Sequence, residues 1–192
     1  MVCAECLVTW IVVGIVGYLV YRYQREKKQI ASLTDKAVLI TGCDSGFGRS
    51  LSLKCVRAGF TVFAGCLTDE GAASLKSEAG SPRLHAVKLD ITKDDSVRTV
   101  RQYVDQNIGG KKLWGVVNNA GIFTCYGPAD WCSIAEYQLS FEVNTLGGIR
   151  VTNQSRGRVV SVSSVAGRIA TAGTAPYAVA KYGVEAWMDC LR

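Results

Sequence analysis

The sequence predicts an α/β domain, in which helices cover both faces of a doubly wound parallel sheet, with an apolar helix ahead of it. Three observations support this prediction. Short apolar runs typical of buried strands alternate with helical patterns from Lys36 onward. A glycine-rich turn at residues 42–48 follows the first of these runs. Residues 6–21 carry no charged side chain.

The first 22 residues predict a membrane anchor. Residues 6–21 are uniformly apolar, and extension to Met1 approaches the ~20 residues that a bilayer requires. A cleaved signal peptide is the alternative, but it calls for a basic start and a small-residue cleavage site, and neither is evident. The basic run that follows makes residues 23–34 a juxtamembrane linker and favours a cytosolic domain, with a lumenal one as the alternative.

The remainder, residues 35–192, predicts one domain of repeated β-α units. Strands are expected at residues 36–41, 60–65, 85–90, 113–119 and 158–163, and helices at residues 49–58, 72–79, 95–106 and 134–152. A final helix carries Tyr177 and Lys181. In such a sheet the ligand lies beyond the carboxyl ends of the strands.

The glycine turn predicts a phosphate site, because free N–H groups at a helix start favour anions and glycines allow close approach. Its spacing, G-x-x-x-G-x-G, differs from G-x-G-x-x-G and lacks the lysine of a P-loop. A purely structural turn remains the alternative.

Tyr177 and Lys181 stand four residues apart, so a helix presents both side chains on one face. A lysine ammonium favours the phenolate form of a nearby tyrosine. Such a pair also arises by chance. However, Gly42, Asp90, Asn118 to Gly121 and Ser164 each follow an apolar strand. We therefore expect these residues to meet the pair at one edge of the sheet.

Composition excludes several other functions. The net charge of +6 is concentrated partly in the run at residues 22–28, so the domain has no basic patch for nucleic acid. The eight cysteines show no paired C-x-x-C spacing that would indicate a zinc site, which favours reduced thiols. His85 is the single histidine, and no metal site is expected.

The motifs together resemble the classical short-chain dehydrogenases/reductases. The matching residues are T-G-C-D-S-G-F-G at residues 41–48, Asp90, N-N-A-G at residues 118–121, Asn144, Ser164 and Y-x-x-x-K from Tyr177 to Lys181. The form of the glycine turn, with G-C-L-T at residues 65–68 and L-D-I-T at residues 89–92, is similar to the retinol and 17β-hydroxysteroid dehydrogenase subgroup. D-3-hydroxybutyrate dehydrogenase is the nearest rival.

The resemblance implies a Rossmann-type fold and a role for each residue. Tyr177 would be the acid/base, Lys181 would lower its pKa and hold the nicotinamide ribose, Ser164 would steady the substrate oxygen, and Asn144 would hold a relay water. The predicted cofactor-binding residues are Gly42, Ser45, Gly46, Phe47, Gly48, Asp90, Asn118, Ala120, Gly121 and Lys181.

The implied reaction moves a hydride between NAD and a lipophilic secondary or allylic alcohol, of the retinol or hydroxysteroid class, at the endoplasmic reticulum membrane. Acidic residues, Asp44 in the turn and Asp69 and Glu70 beyond the second strand, favour NAD over NADP.

Two departures from the family pattern are expected to matter. The helix after Asn144 is short by about two turns, which puts a homodimer in doubt. The chain also stops at Arg192, inside the helix that carries Lys181, so we expect a C-terminally truncated domain with weak or absent turnover. A non-catalytic truncated isoform or fragment, or a 3-hydroxybutyrate dehydrogenase-like enzyme, is the alternative.

Overall fold

A computed structural model describes residues 4–26, 32–153 and 157–191 of the chain. They form two compact units, which divide at residues 32 and 33. Residues 1–3 of the predicted anchor, residues 27–31 of the predicted linker, and Arg192 lie outside the described residues.

The first unit contains helix α1, Ala4–Glu26. It continues past the apolar run into the predicted linker, so that Tyr23 and Arg25 are helical. The apolar side chains from Val8 to Tyr23 are exposed, Trp10 by 72%. Among the described residues, no helix combines the length and the apolar character needed to cross a membrane.

The second unit contains a five-stranded parallel sheet with the strand order β3-β2-β1-β4-β5. Its strands are β1 Lys36–Thr41, β2 Thr61–Cys66, β3 Leu84–Lys88, β4 Lys112–Asn118 and β5 Arg158–Ser161. The order reverses between β1 and β4, and this reversal opens a crevice at the carboxyl ends of the two strands. The predicted α/β doubly wound sheet is confirmed.

Six helices accompany the strands: α2 Gly46–Arg57, α3 Asp69–Ala79, α4 Asp94–Asn107, α5 Ile134–Phe141, α6 Gly147–Asn153 and α7 Ala175–Cys190. Between α5 and α6 the chain forms a π-helical turn, Glu142–Leu146. The expected uninterrupted helix over residues 134–152 is therefore wrong in detail, because the turn inserts one extra residue into the helical repeat.

Alternation along β1 divides the core into two layers. Val38 and Ile40 pack on one face of the sheet with α2 and α3, and Ala37 and Leu39 pack on the other with α4 and α6. Helix α4 contributes Val97, Val100 and Val104, at the spacing of a single helical face. Both faces are thus covered, and ligands can reach the sheet at its edges.

Candidate active site

The end of β1 is joined to the end of β4 by hydrogen bonds centred on Thr41. The buried Thr41 Oγ1 accepts from the backbone N–H groups of Asn119 at 3.1 Å and Ala120 at 3.0 Å. In return, Asn119 Nδ2 donates to the carbonyl oxygens of Thr41 at 2.9 Å and Gly42 at 3.0 Å. These bonds fix the two strand ends that flank the crevice.

The glycine turn leaves the crevice open to a ligand. Gly42 has φ +70°, and a Cβ there would lie 2.7 Å from Ala120 Cα. Gly48 is equally constrained, since a Cβ would lie 2.3 Å from the Gly42 carbonyl oxygen. Gly46 has φ +59° and faces open space at the start of α2. Free N–H groups at this helix start favour a phosphate.

A cleft of about 380 Å³ extends from this turn across the carboxyl ends of the strands. Six of the predicted cofactor-binding residues line it: Gly42, Ser45, Phe47, Asp90, Ala120 and Gly121. Asn119, which belongs to the predicted stretch of residues 118–121, also lines the cleft. Leu67 and Thr92 line it too and were missed as site residues. For Leu67, the position directly after β2 was the available signal.

Asp44 closes the cleft on the side of β2. Its carboxylate accepts from Leu67 N–H at 2.8 Å, Thr68 N–H at 3.0 Å and Thr68 Oγ1 at 2.8 Å. Partial burial alone would raise the pKa of Asp44, but these hydrogen bonds outweigh it and the pKa is lowered. Asp44 is therefore an anion at neutral pH.

Asp90 organises the turn after β3. Its carboxylate accepts from the N–H of Thr92 at 2.9 Å and from Thr92 Oγ1 at 2.7 Å. Burial alone would raise the pKa of Asp90, yet the bonds from Thr92 and the nearby positive charges lower it. The loop that lines the cleft is thus held by a carboxylate.

Asn118 lies away from the cleft. Its Nδ2 donates to Thr152 Oγ1 at 2.9 Å and lies 3.5 Å from Ser161 Oγ, so it links β4 to α6 and β5. Its Oδ1 is buried without a hydrogen-bond partner among the described residues. The adjacent Asn119 is the residue that reaches the cleft.

Asn144 lies in the π-helical turn and is 6% exposed. Its Oδ1 accepts from Ile122 N–H at 3.0 Å, and its Nδ2 donates to the carbonyls of Ile122 and Ser140, each at 2.9 Å. A Cβ on Gly121 would lie 2.7 Å from Asn144 Oδ1 and 3.7 Å from Lys181 Nζ. The turn therefore brings Asn144, Gly121 and Lys181 together.

Helix α7 carries both Tyr177 and Lys181, and it places Lys181 next to Gly121. Lys181 is 4% exposed, and its Nζ donates to the Val162 carbonyl at 2.9 Å. Burial lowers the pKa of Lys181. The ammonium lies 5.5 Å from the centroid of the Tyr177 ring, and the Phe123 ring packs on Tyr177 at 5.2 Å.

Ser164 follows β5 and precedes a short 3₁₀ turn, Val165–Gly167. Its Oγ accepts from Ala166 N–H at 3.2 Å, which leaves the hydroxyl proton free to be donated. Its neighbour Ser163 has a buried Oγ without a partner in the described part of the chain. Across residues 4–26, 32–153 and 157–191, no group of three or more His, Cys, Asp or Glu side chains could hold a metal ion.

The family described as short chain dehydrogenase matches residues 36–192. The 17-beta-hydroxysteroid dehydrogenase type 6 of Rattus norvegicus is 45% identical over 188 residues, covering 94% of this chain and 59% of the relative. Retinol dehydrogenase 16 of Mus musculus is also 45% identical, with the same shares of each chain.

A solved short-chain dehydrogenase from Streptomyces avermitilis superposes with a TM-score of 0.74 and 29% identity, covering 81% of this chain and 59% of its own. The chain thus spans about three fifths of the length of the relatives that it matches. Matched residues, sheet order and glycine turn agree: the chain belongs to the short-chain dehydrogenase family.

Proposed function

We propose that this chain carries the site of a membrane-associated oxidoreductase, which transfers a hydride between NAD and a lipophilic secondary or allylic alcohol. The observation that carries the proposal is the meeting of Lys181, Tyr177 and Asn144 beside the cleft. The names of its relatives, a hydroxysteroid and a retinol dehydrogenase, support the substrate class.

Tyr177 is proposed as the acid/base that exchanges a proton with the substrate oxygen. Lys181 is buried, and its Nζ lies 5.5 Å from the centroid of the Tyr177 ring, so a positive charge stands beside the proposed acid/base. Its bond to Val162 holds the ammonium in place. Little reorganisation is then needed when a proton moves, because this charge is already in position.

Ser164 is proposed to donate its hydroxyl proton to the substrate oxygen, since its Oγ accepts a bond from the backbone and is held at the end of β5. Asn144 is proposed to hold a water in the proton relay. Its bonds to Ile122 and Ser140 keep that residue fixed.

A nicotinamide dinucleotide fits the residues of the cleft. The positive φ and open space at Gly46, together with the start of α2, would hold the pyrophosphate, and Asp90 and Gly121 would flank the rest of the cofactor. Bound there, the cofactor would supply or accept the hydride. Lys181 would also hold the nicotinamide ribose.

Preference for NAD over NADP is proposed from Asp44. This anionic side chain lines the cleft beside Leu67, where a 2′-phosphate would bring further negative charge. Asp69 forms an ion pair with Lys88 at 2.5 Å, and the lysine charge offsets the repulsion that Asp69 would exert on a 2′-phosphate. The proposed preference for NAD therefore depends on Asp44.

Membrane association is proposed through α1, whose exposed apolar side chains suit a lipid environment. The basic residues at its end favour a cytosolic-facing domain at the endoplasmic reticulum membrane. A lipophilic alcohol would partition into the same membrane.

The test combines binding and turnover. Thermal unfolding of the full chain is followed with NAD and with NADP, and NAD reduction is followed with retinol and with a 17β-hydroxysteroid. We expect a larger stabilisation by NAD, and weak reduction of NAD by one of the alcohols. Stabilisation without turnover would favour the alternative, a nucleotide-binding chain that does not catalyse. No stabilisation by either nucleotide would contradict the proposed site.

A further inference from the structure

Two thiols meet in the segment that joins β4 to α5. Cys125 donates its S–H to Sγ of Cys132, with 3.1 Å between the sulfur atoms, and both side chains are partly accessible. We propose that Cys125 and Cys132 are a redox modification site, which a low-molecular-weight disulfide such as oxidised glutathione converts to an intramolecular disulfide.

The geometry requires little movement. A disulfide places its sulfur atoms ~2 Å apart, so the thiols need to approach by only about 1 Å. The segment between them contains Gly127 and Pro128, and the Cys132 thiol lies 3.7 Å from the Pro128 carbonyl oxygen. A turn thus already holds the two residues side by side.

The other described cysteines are differently placed. Cys43 and Cys66 are 0% exposed, so a glutathione molecule cannot reach their sulfur atoms. Cys6 and Cys190 are exposed and Cys55 is partly accessible, but none of these three thiols is hydrogen-bonded to a second thiol within the described residues. The paired arrangement and the access of solvent therefore occur together at Cys125 and Cys132.

Two carboxylates lie near the pair. Hydrogen bonding with Cys125, burial, and the carboxylates of Glu136 and Asp130 raise the pKa of Cys132 to about 11. Cys132 is therefore protonated at neutral pH and must lose its proton to solvent before its sulfur can form a disulfide.

The exchange balances as two successive substitutions. One of the two thiols gives its proton to solvent, attacks one sulfur of oxidised glutathione, forms a mixed disulfide and releases one glutathione thiolate. The second thiol then gives its proton to solvent and attacks the protein sulfur of the mixed disulfide, which releases the second glutathione thiolate. Two protein thiols are oxidised, and one small disulfide is reduced to two thiols.

The disulfide would act on the site through the backbone. Within the closed segment, Gly127 N–H donates to the Gly173 carbonyl at 3.0 Å, in the loop before α7. Just before the segment, Phe123 packs on Tyr177. Closure fixes the segment against this loop, so amide exchange at Gly127 should slow on oxidation.

Peptide mapping tests the proposal without any need for turnover. One tryptic fragment, residues 113–150, contains both thiols and no other cysteine. The folded full chain is treated with oxidised glutathione, the remaining thiols are alkylated, and the fragment is weighed. We expect it to lose the mass of two hydrogen atoms, to carry neither alkyl group nor glutathione, and to recover both thiols after reduction.

Two variants sharpen the result. Cys132→Ser should leave glutathione attached to Cys125, because the resolving thiol is gone. Cys190→Ser, a matched change at an exposed cysteine outside the pair, should leave closure unchanged. The proposal is overturned if residues 113–150 remain fully alkylated while Cys190 takes up glutathione, or if each of the two thiols carries its own glutathione.

Discussion

Replacement of Thr41 by valine removes one hydroxyl from the centre of the site and changes little else in shape. Thr41 is 1% exposed, and its Oγ1 accepts from the N–H groups of Asn119 and Ala120. A buried donor that loses its acceptor costs about 1–3 kcal/mol, so two such donors set an upper range of about 2–6 kcal/mol. Partial relaxation toward solvent lowers this, and we expect Thr41→Val to reduce the free energy of unfolding by about 2–4 kcal/mol.

The assay is urea unfolding of the wild type and the variant, with the stabilisation by NAD measured in parallel. Thr99→Val is the matched control, because the Thr99 hydroxyl is exposed and bonds only to the Asp95 carbonyl of its own helix in the described structure. The control should shift the free energy of unfolding by less than about 0.5 kcal/mol. An equally small effect of Thr41→Val would refute the role given to this hydroxyl.

Three further predictions concern other parts of the domain. Gly121→Ala should weaken nucleotide stabilisation and turnover several-fold, because its Cβ would lie 2.7 Å from Asn144 Oδ1; unchanged binding would contradict the placement. Arg150→Met should lower the free energy of urea unfolding by about 1–3 kcal/mol, since Arg150 binds the carboxylates of Asp94 and Glu142. If high salt abolished this loss, the stabilisation would come from screened surface charge, which would contradict the structural role of Arg150. Asp44→Asn should destabilise the chain at neutral pH. The deficit should shrink as pH falls below the unfolded pKa of about 4, because the lowered pKa of Asp44 confines its contribution to higher pH; a pH-independent deficit would argue against it.

Much of the fold follows from local pattern. The apolar runs predicted the strands to within one or two residues, and β1 was predicted with its bounds unchanged. Helix starts were less well placed, because capping depends on geometry. Thr68, for instance, caps α3 through its bond to Gly71 N–H, and the helix begins at Asp69, three residues ahead of the predicted start at residue 72.

The parts of the site that could not be predicted depend on direction and on long-range contact. At the end of β4, Asn118 and Asn119 are the same residue type, and only the fold decides that Asn119 reaches the cleft. The π-helical turn at Asn144 leaves the hydrophobic pattern unchanged, so the sequence predicted one continuous helix. The contact of Cys125 with Cys132 arises from a loop without a periodic signal.

One measurement tests the central claim most directly, namely NAD reduction by retinol or a 17β-hydroxysteroid with Tyr177→Phe compared with Tyr182→Phe. Both changes remove one tyrosine hydroxyl from α7 and keep the ring. The Tyr182 hydroxyl donates to the Arg168 carbonyl at 2.7 Å. We predict that Tyr177→Phe lowers turnover at least ~100-fold, the usual contribution of a positioned acid/base, while Tyr182→Phe retains it. Equal turnover by the two variants would contradict the assignment of Tyr177 as the acid/base.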